Sequence, residues 1–376
     1  MRKSCRDITA LKFINGFGAK KIMALAKAVS DTEQVFNMPF DEIRRLTGSP
    51  VKNIDDLRCV RQKEEYLREL KYINEEDIRT VSFFDDDYPE ALRHLYAPPP
   101  VLFYKGEFEK EDKNAVAVIG SRKCSLYGMR MAEKIAYDLA VRGITVISGM
   151  ALGIDSAAHR GALKAGGRTI AIMGSGFKHI YPASSTGLAE KISKSGAVVT
   201  EYLSDMFPLK GNFPMRNRII SGMSKAVVVV EAARKSGAMI TANIALEQGK
   251  EVLAFPGRAD LNAAQGTNFL IQQGAKLILG VEDILEEINI ETKDVCAGAE
   301  HESLSVSGQG AHLNDKEKGL VEVLKKNQIL HIDELLDFSS SGISSLSETL
   351  INLQIKGLIK ESAGRNYSLV NSNQSR

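Results

Sequence analysis

Continuous apolar runs recur through the middle of the chain: Ala115 to Ile119, Ile144 to Ile147, Thr169 to Met173, Ala197 to Val199, Ala226 to Val230, Val252 to Phe255 and Leu277 to Leu279. None alternates with polar residues, the pattern of strands buried on both faces of a mostly parallel sheet. Helical spacing fills the gaps, as in Met129 to Val141, Ile154 to Leu163 and Ala238 to Glu247. Strand and helix in strict alternation predict an α/β, Rossmann-like, doubly wound domain.

The flanks read differently. Residues 1–74 place Leu11, Ile14, Ile22, Leu25 and Val29 at helical spacing around the turn Gly16-Phe17-Gly18, with Lys20 and Lys21 beside it. Such a turn serves a helix-hairpin-helix that offers backbone amides to a phosphate, and serves equally an ordinary αα-hairpin in a helical bundle. Residues 75–289 begin with an extended lead-in, because Tyr88-Pro89 and Pro98-Pro99-Pro100 forbid helix, and a short strand ends it at Val101 to Gly106. Residues 290–313, rich in Ser, Gly, Glu and His, read as a flexible linker. Residues 314–370 then predict helices at Glu317 to Leu324, Ile332 to Leu336 and Ile343 to Lys356, and a hairpin from Leu358 to Leu369 around Ala363-Gly364-Arg365. Three helices and a hairpin suggest a winged helix. Its third helix carries little positive charge, which favours protein contact or plain structure over DNA readout.

Composition narrows the partners. A chain of 376 residues accommodates two or three domains. With 49 Lys and Arg against 47 Asp and Glu, the net charge is +2, so any nucleic-acid binding must come from a local basic patch. Cys5, Cys59, Cys124 and Cys296 are scattered, which suits free thiols in a reducing compartment. No segment resembles a signal peptide, no apolar run approaches the roughly 18 residues of a membrane span, and the histidines show no metal-ligand spacing. A cytoplasmic protein without a metal or cofactor is expected.

The candidate chemistry lies at the predicted strand ends. The first strand delivers Gly120-Ser121-Arg122-Lys123, the second Ser148-Gly149-Met150-Ala151-Leu152-Gly153, and the third Gly174-Ser175-Gly176-Phe177-Lys178. Glycine-bearing loops there make a crevice lined by amides, in which a helix N-terminus is expected to face an anion. A dinucleotide is disfavoured: the first loop lacks Gly-x-Gly-x-x-Gly and carries an Arg, and the second strand ends without the acid that would hold a ribose. Further on, Lys210-Gly211-Asn212-Phe213-Pro214-Met215-Arg216-Asn217-Arg218 sets an aromatic among cations. That arrangement suits single-stranded nucleic acid, with phosphates on the cations and a base stacked on the ring. Catalytic groupings are thin. Asp155 and His159 share a helix face without a nucleophile, and fit a buried structural hydrogen bond better than an acid and base. Glu201 and Glu231 each follow a strand, where they are expected to pair with Arg122 or Arg218 and hold the loops.

Ordered motifs over about 200 residues closely resemble the DprA/Smf family of DNA-processing proteins: Gly120-Ser121-Arg122, Ser148-Gly149-x-Ala151-x-Gly153-Ile154-Asp155-x-x-Ala158-His159, Tyr181-Pro182, Phe213-Pro214-x-Arg216-Asn217-Arg218, Ser236-Gly237-Ala238-x-Ile240-Thr241-Ala242 and Pro256-Gly257. The resemblance implies a non-enzymatic protein of natural transformation and recombination that binds and protects single-stranded DNA, forms a homodimer through its Rossmann-like domain and helps load the recombinase RecA. It implies a sterile-alpha-motif-like or helix-hairpin-helix module before that domain and a winged helix after it. Carried over by position, the DNA pocket comprises Gly120, Ser121 and Arg122 with Lys210, Gly211 and Phe213; the residue chemistry adds Lys178, Arg216 and Arg218. The departures, Ile119 for Val, Thr200 for Ser and Ala264 for Ser, fall outside this pocket. The alternative is a nucleotide-binding enzyme or sensor resembling the lysine-decarboxylase-like phosphoribohydrolases. Those carry Pro-Gly-Gly-x-Gly-Thr-x-x-Glu, whereas this chain keeps Thr241 and has Ile244 at the place of the glutamate.

Overall fold

A computed structural model describes residues 1–48, 54–288, 315–327, 329–337, 346, 349–350, 352–354, 358–362 and 366–369. The chain divides into two compact units, Met1–Val295 and Cys296–Arg376.

The first unit opens with helices α1 (Lys3–Leu11), α2 (Ala19–Lys27), α3 (Phe40–Thr47), α4 (Ile54–Cys59) and α5 (Glu64–Glu75). Their ends follow local chemistry: Pro39 precedes α3, Gly48 closes it in the left-handed region at φ +65°, and Glu64 and Glu65 occupy the positive first turn of α5. Their apolar faces form no separate core. Ile8, Leu11, Ile22 and Ile43 belong to one buried cluster with Phe103, Met173 and Val198 of the sheet region, so the helices are built onto the α/β domain.

That domain holds β1 (Arg79–Ser82), β2 (Val101–Gly106), β3 (Val116–Ile119), β4 (Val146–Ser148), β5 (Thr169–Ile172), β6 (Ala197–Thr200), β7 (Ala226–Val229), β8 (Glu251–Ala254) and β9 (Lys276–Leu277). They form one nine-stranded sheet in the order β1-β2-β6-β5-β4-β3-β7-β8-β9. From β6 through β9 every pairing is parallel, and β1 and β2 extend the β6 edge antiparallel. The mostly parallel sheet agrees with the unbroken apolar runs. Strand β1 was not legible, because Arg79-Thr80-Val81-Ser82 carries one large apolar residue and is held by pairing with β2.

The other helices of this domain are α6 (Glu90–Arg93), α7 (Leu126–Val141), α8 (Ile154–Lys164), α9 (Thr186–Ser195), α10 (Asn212–Gly222), α11 (Gly237–Glu247), α12 (Gln265–Gln272) and α13 (Val281–Ile288), of which α7 to α12 connect successive strands. Alternate residues of each strand serve opposite layers: Ala117 and Ile119 pack with α10 and α11, whereas Val116 and Val118 pack with α7, α8 and α13. This two-sided covering explains why the strands tolerate no polar alternation. The order reverses at β3, whose chain goes on through α7 to β4 on one side, while β7 lies on the other. Ligand crevices of doubly wound sheets open at such a switch, outside the strands' carboxyl ends.

In the second unit, α14 (Asp315–Asn327), β10 (Ile329–His331), α15 (Ile332–Asp337), β11 (Ile359–Ser362) and β12 (Asn366–Leu369) surround a core of Leu320, Leu324, Leu335, Leu353 and Tyr367. Its three strands pair antiparallel in the order β10-β12-β11, so β10 joins the expected hairpin. The linker at 290–313, the turn at 363–365 and much of the helix expected at 343–356 lie outside the described residues.

Candidate nucleic-acid interface

The loop after β3 is wedged between its neighbours. A Cβ at Gly120 would lie 2.5 Å from Ile154 Cγ1 and 2.8 Å from the Glu231 carbonyl oxygen, so only glycine fits between α8 and the end of β7. Gly153, at φ +80°, lets α8 start directly under the loop, and its absent Cβ would meet the Ser121 carbonyl at 2.4 Å. The Ser121 amide donates to the Glu231 carbonyl at 2.7 Å, and the Ile154 amide donates to the Ser121 carbonyl at 3.3 Å. Held from both sides, the loop turns Arg122 and Lys123 into solvent.

The helix N-terminus behind this loop already has its anion. The Glu231 carboxylate accepts the Ser125 amide at 3.0 Å and the Ser125 hydroxyl at 2.7 Å, while Ser125 Oγ accepts the Gly128 amide at 3.0 Å. Gly128 is required there, since a Cβ would fall 2.0 Å from Glu231 Oε2. The expectation that α7 points its first turn at a ligand is therefore corrected: an internal carboxylate fills the position a nucleotide phosphate would take. Glu231 was expected to pair with an arginine, and it caps α7 instead. Glu201 does pair with Arg218.

Outside that cap, cations and an aromatic ring converge. Phe213, half-buried at the start of α10, packs over Gly174 with its ring 3.0 Å from where a Cβ would stand. The Arg122 guanidinium lies 4.8 Å above the same ring, and the Arg216 guanidinium lies 5.9 Å from it. The Tyr181 ring meets Phe213 at 5.8 Å. Lys210 and Gly211 sit exposed at the turn into α10, and a Cβ on Gly211 would meet nothing within 4 Å. Neither Arg122 nor Lys210 has an ion-pair partner among the described residues. Lys178 is set apart, its ammonium 2.9 Å from Asp205 and 4.7 Å above the Tyr72 ring of α5. Glu69 of α5 also accepts from the Ser204 amide and hydroxyl, each at 2.9 Å, so the N-terminal helices buttress this loop.

Arg216 and Arg218 face inward. Arg216 is 4% exposed; its Nη1 donates to the carbonyls of Gly149 and Ile172, at the ends of β4 and β5, and its Nε donates to Asn217 at 3.2 Å. It covers carbonyl oxygens that would otherwise stand unpaired at the ends of the two strands. Burial lowers its pKa to about 10, opposed by Asp155, whose own carboxyl is raised by burial and lowered by Arg216. Arg218 forms a largely buried pair with Glu201. The surface contact with a strand expected of both arginines from sequence does not suit Arg216, which is buried, while Arg218 is intermediate in burial and already paired with Glu201.

His159 is fully buried, with Nδ1 2.7 Å from Thr169 Oγ1, which itself donates to the Val146 carbonyl at 2.7 Å. That network puts the proton on Nδ1. Burial first, and the cations Arg216 and Arg160 after it, lower its pKa to about 3. It is a neutral core histidine, as expected from sequence. Among the described residues no group of His, Cys, Asp and Glu could hold a metal ion, and no helix is long and apolar enough to cross a membrane. Sequence reasoning missed Gly174 and Tyr181 as the floor and neighbour of Phe213. The Tyr181-Pro182 pair was visible, but nothing local told that α10 would bring Phe213 beside it.

These features define a doubly wound α/β protein whose strand-end crevice is edged by exposed cations around an aromatic ring, with its helix cradle closed by its own carboxylate. A family profile described as DNA recombination-mediator protein A matches residues 79–289, more than half of the chain. The chain belongs to this DprA/Smf family. DNA processing protein DprA of Bacillus subtilis is 41% identical over 222 residues, covering 59% of this chain and 75% of its own. The X-ray structure of DNA processing protein A from Streptococcus pneumoniae matches with a TM-score of 0.67 and 34% identity, over 76% of this chain and 99% of that one. A structure addressing the single-stranded DNA binding mode of DNA processing protein A from Helicobacter pylori matches with a TM-score of 0.52 and 29% identity, over 57% and 97%. Membership carries a role in DNA processing and recombination mediation.

Proposed function

We propose that the protein binds single-stranded DNA without processing it chemically, protects the strand and helps load RecA during transformation or recombination, acting in the cytoplasm as a homodimer. The observation that carries the binding is the unpaired Arg122 guanidinium stacked 4.8 Å above Phe213. An exposed cation on an aromatic face suits a chain of alternating phosphates and bases. In this reading Arg122, Lys210 and, after release from its exposed partner Asp205, Lys178 neutralise phosphates. Gly120 and Ser121 hold the Arg122 loop in place, Gly211, with open space at its Cα, leaves room for the strand, and Phe213 stacks a base. Arg216 and Arg218 shape the floor from beneath. The relative from Helicobacter pylori, addressed by its structure as a single-stranded DNA binder, supports the same substrate class.

The Glu231 cap and Ile244, at the position of the phosphoribohydrolase glutamate, both disfavour the nucleotide enzyme. We further assign the helices of residues 1–74 as a helix-hairpin-helix or sterile-alpha-motif-like module, residues 75–289 as the DNA-binding domain, and residues 314–370 as a winged helix joined by a linker at 290–313. Lys21 donates to the Gly16 carbonyl at 2.9 Å, which supports a defined hairpin turn.

The deciding experiment is a titration of labelled oligo-dT against a duplex of equal length, with a mononucleotide as competitor. Tight, salt-sensitive binding of the oligonucleotide alone is expected. Displacement by the mononucleotide, or preference for the duplex, would overturn the reading.

A further inference from the structure

Beyond Phe213 the aromatic surface continues. Tyr181, 47% exposed, meets the Phe213 ring and also lines a cleft of about 590 Å³. Such a volume lies within the roughly 300–1,000 Å³ of small-ligand clefts. Phe177, His179, Tyr181, Phe207 and Pro208 supply its aromatic and apolar lining, and Lys178 stands on its rim. Phe207 lies flat on His179, with centroids 3.9 Å apart and planes 22° apart, yet 61% of Phe207 remains exposed. A large aromatic held flat by a stacking partner and left open to water is prepared to stack on something further.

We infer that this cleft takes the next nucleobases of the same strand, stacked on Phe207 and Tyr181 as a second, sequence-tolerant subsite. The proposal rests on the reading of Arg122 and Phe213 as the first subsite. Continuity argues for bases as the occupant: the Tyr181 ring is shared between Phe213 and the cleft, so a strand leaving Phe213 passes over it. The rim argues likewise. Among the described residues the ion-pair partner of Lys178 is Asp205, whose side chain is 74% exposed, and so weak a surface pair yields readily to a phosphate. The cleft offers π-faces and few base-reading polar groups, which predicts binding without sequence preference.

The chain contains no tryptophan, so Phe207→Trp introduces a single indole at this point. In the full-length protein, its emission should be quenched by oligo-dT with the same midpoint as the anisotropy of a labelled strand. An abasic strand of equal charge should not quench it. Phe207→Ala, whose ring touches His179 and not Phe213, should weaken oligo-dT binding about 5- to 100-fold, leave the salt slope unchanged and leave the melting temperature in place. Unquenched emission while the labelled strand is bound would overturn the subsite, as would wild-type oligo-dT affinity in Phe207→Ala, the result expected if a protein segment fills the cleft. The first subsite is judged separately by Arg122→Ala with Lys210→Ala: wild-type affinity there overturns the underlying reading, whereas its loss beside an unaffected Phe207→Ala overturns the second subsite alone.

Discussion

The Arg122 guanidinium sits 4.8 Å over the ring of Phe213, although 91 positions of sequence separate the loop after β3 from the start of α10. The ring holds the cation beyond ion-pair distance of any described carboxylate, though the buried Asp155 still feels its charge. An exposed guanidinium outside ion-pair distance and stacked on a half-buried ring is the arrangement on which the proposed contact with a phosphate beside a base rests.

Arg122→Ala and Lys210→Ala should each weaken oligo-dT binding by about 1 to 3 kcal/mol and reduce the salt slope by about one phosphate contact. Anisotropy titrations across a salt series check this. Loss of affinity with an unchanged slope would show that neither residue meets a phosphate.

Phe213→Ala should lose affinity while the fold stands, because Phe213 is half-buried and backed by Gly174, not enclosed by core side chains. The expected loss is about 1 to 3 kcal/mol for one stacked base. A large fall in melting temperature would return Phe213 to the core.

Arg216→Ala should behave oppositely. Its guanidinium is buried on the Gly149 and Ile172 carbonyls beside Asp155, and removing it leaves those acceptors and a buried acid without their cation. Destabilisation of about 3 to 5 kcal/mol is expected. Urea unfolding checks it, and DNA affinity measured on the folded fraction should fall far less.

Acid should unfold the first unit partly through His159, held neutral to about pH 3 against an ordinary value of 6.5. The unfolded chain then binds a proton that the folded chain refuses. This contribution is fully present above pH 6.5 and is lost as pH falls from there toward about 3, at up to about 1.4 kcal/mol per pH unit. Asp155, with its carboxyl raised, works in the opposite sense. Comparing pH-dependent urea unfolding of the wild type with His159→Gln isolates the histidine: the variant should show the shallower slope.

The run Ala115 to Ile119 and its successors were legible as strands because burial on both sheet faces leaves no polar position, a constraint written directly into composition. The same local logic marked the glycine loops at the strand ends and the aromatic among cations around Phe213. It also favoured a buried structural role for His159, since Asp155 shared its helix face without a nucleophile or third member.

What tertiary structure alone decided is which way each charge points. Arg122 and Arg216 are equally cationic in the sequence, yet one meets solvent over Phe213 and the other is buried against the ends of β4 and β5. Glu231 could have met an arginine, and the reversal of strand order at β3 brought it to the first turn of α7, where the backbone's own positive charge took it. Periodicity records how deeply a segment is buried, because every residue in it feels the same two neighbouring layers. The direction of a side chain at a loop depends on contacts between segments distant in the chain, and those exist only once the sheet has assembled.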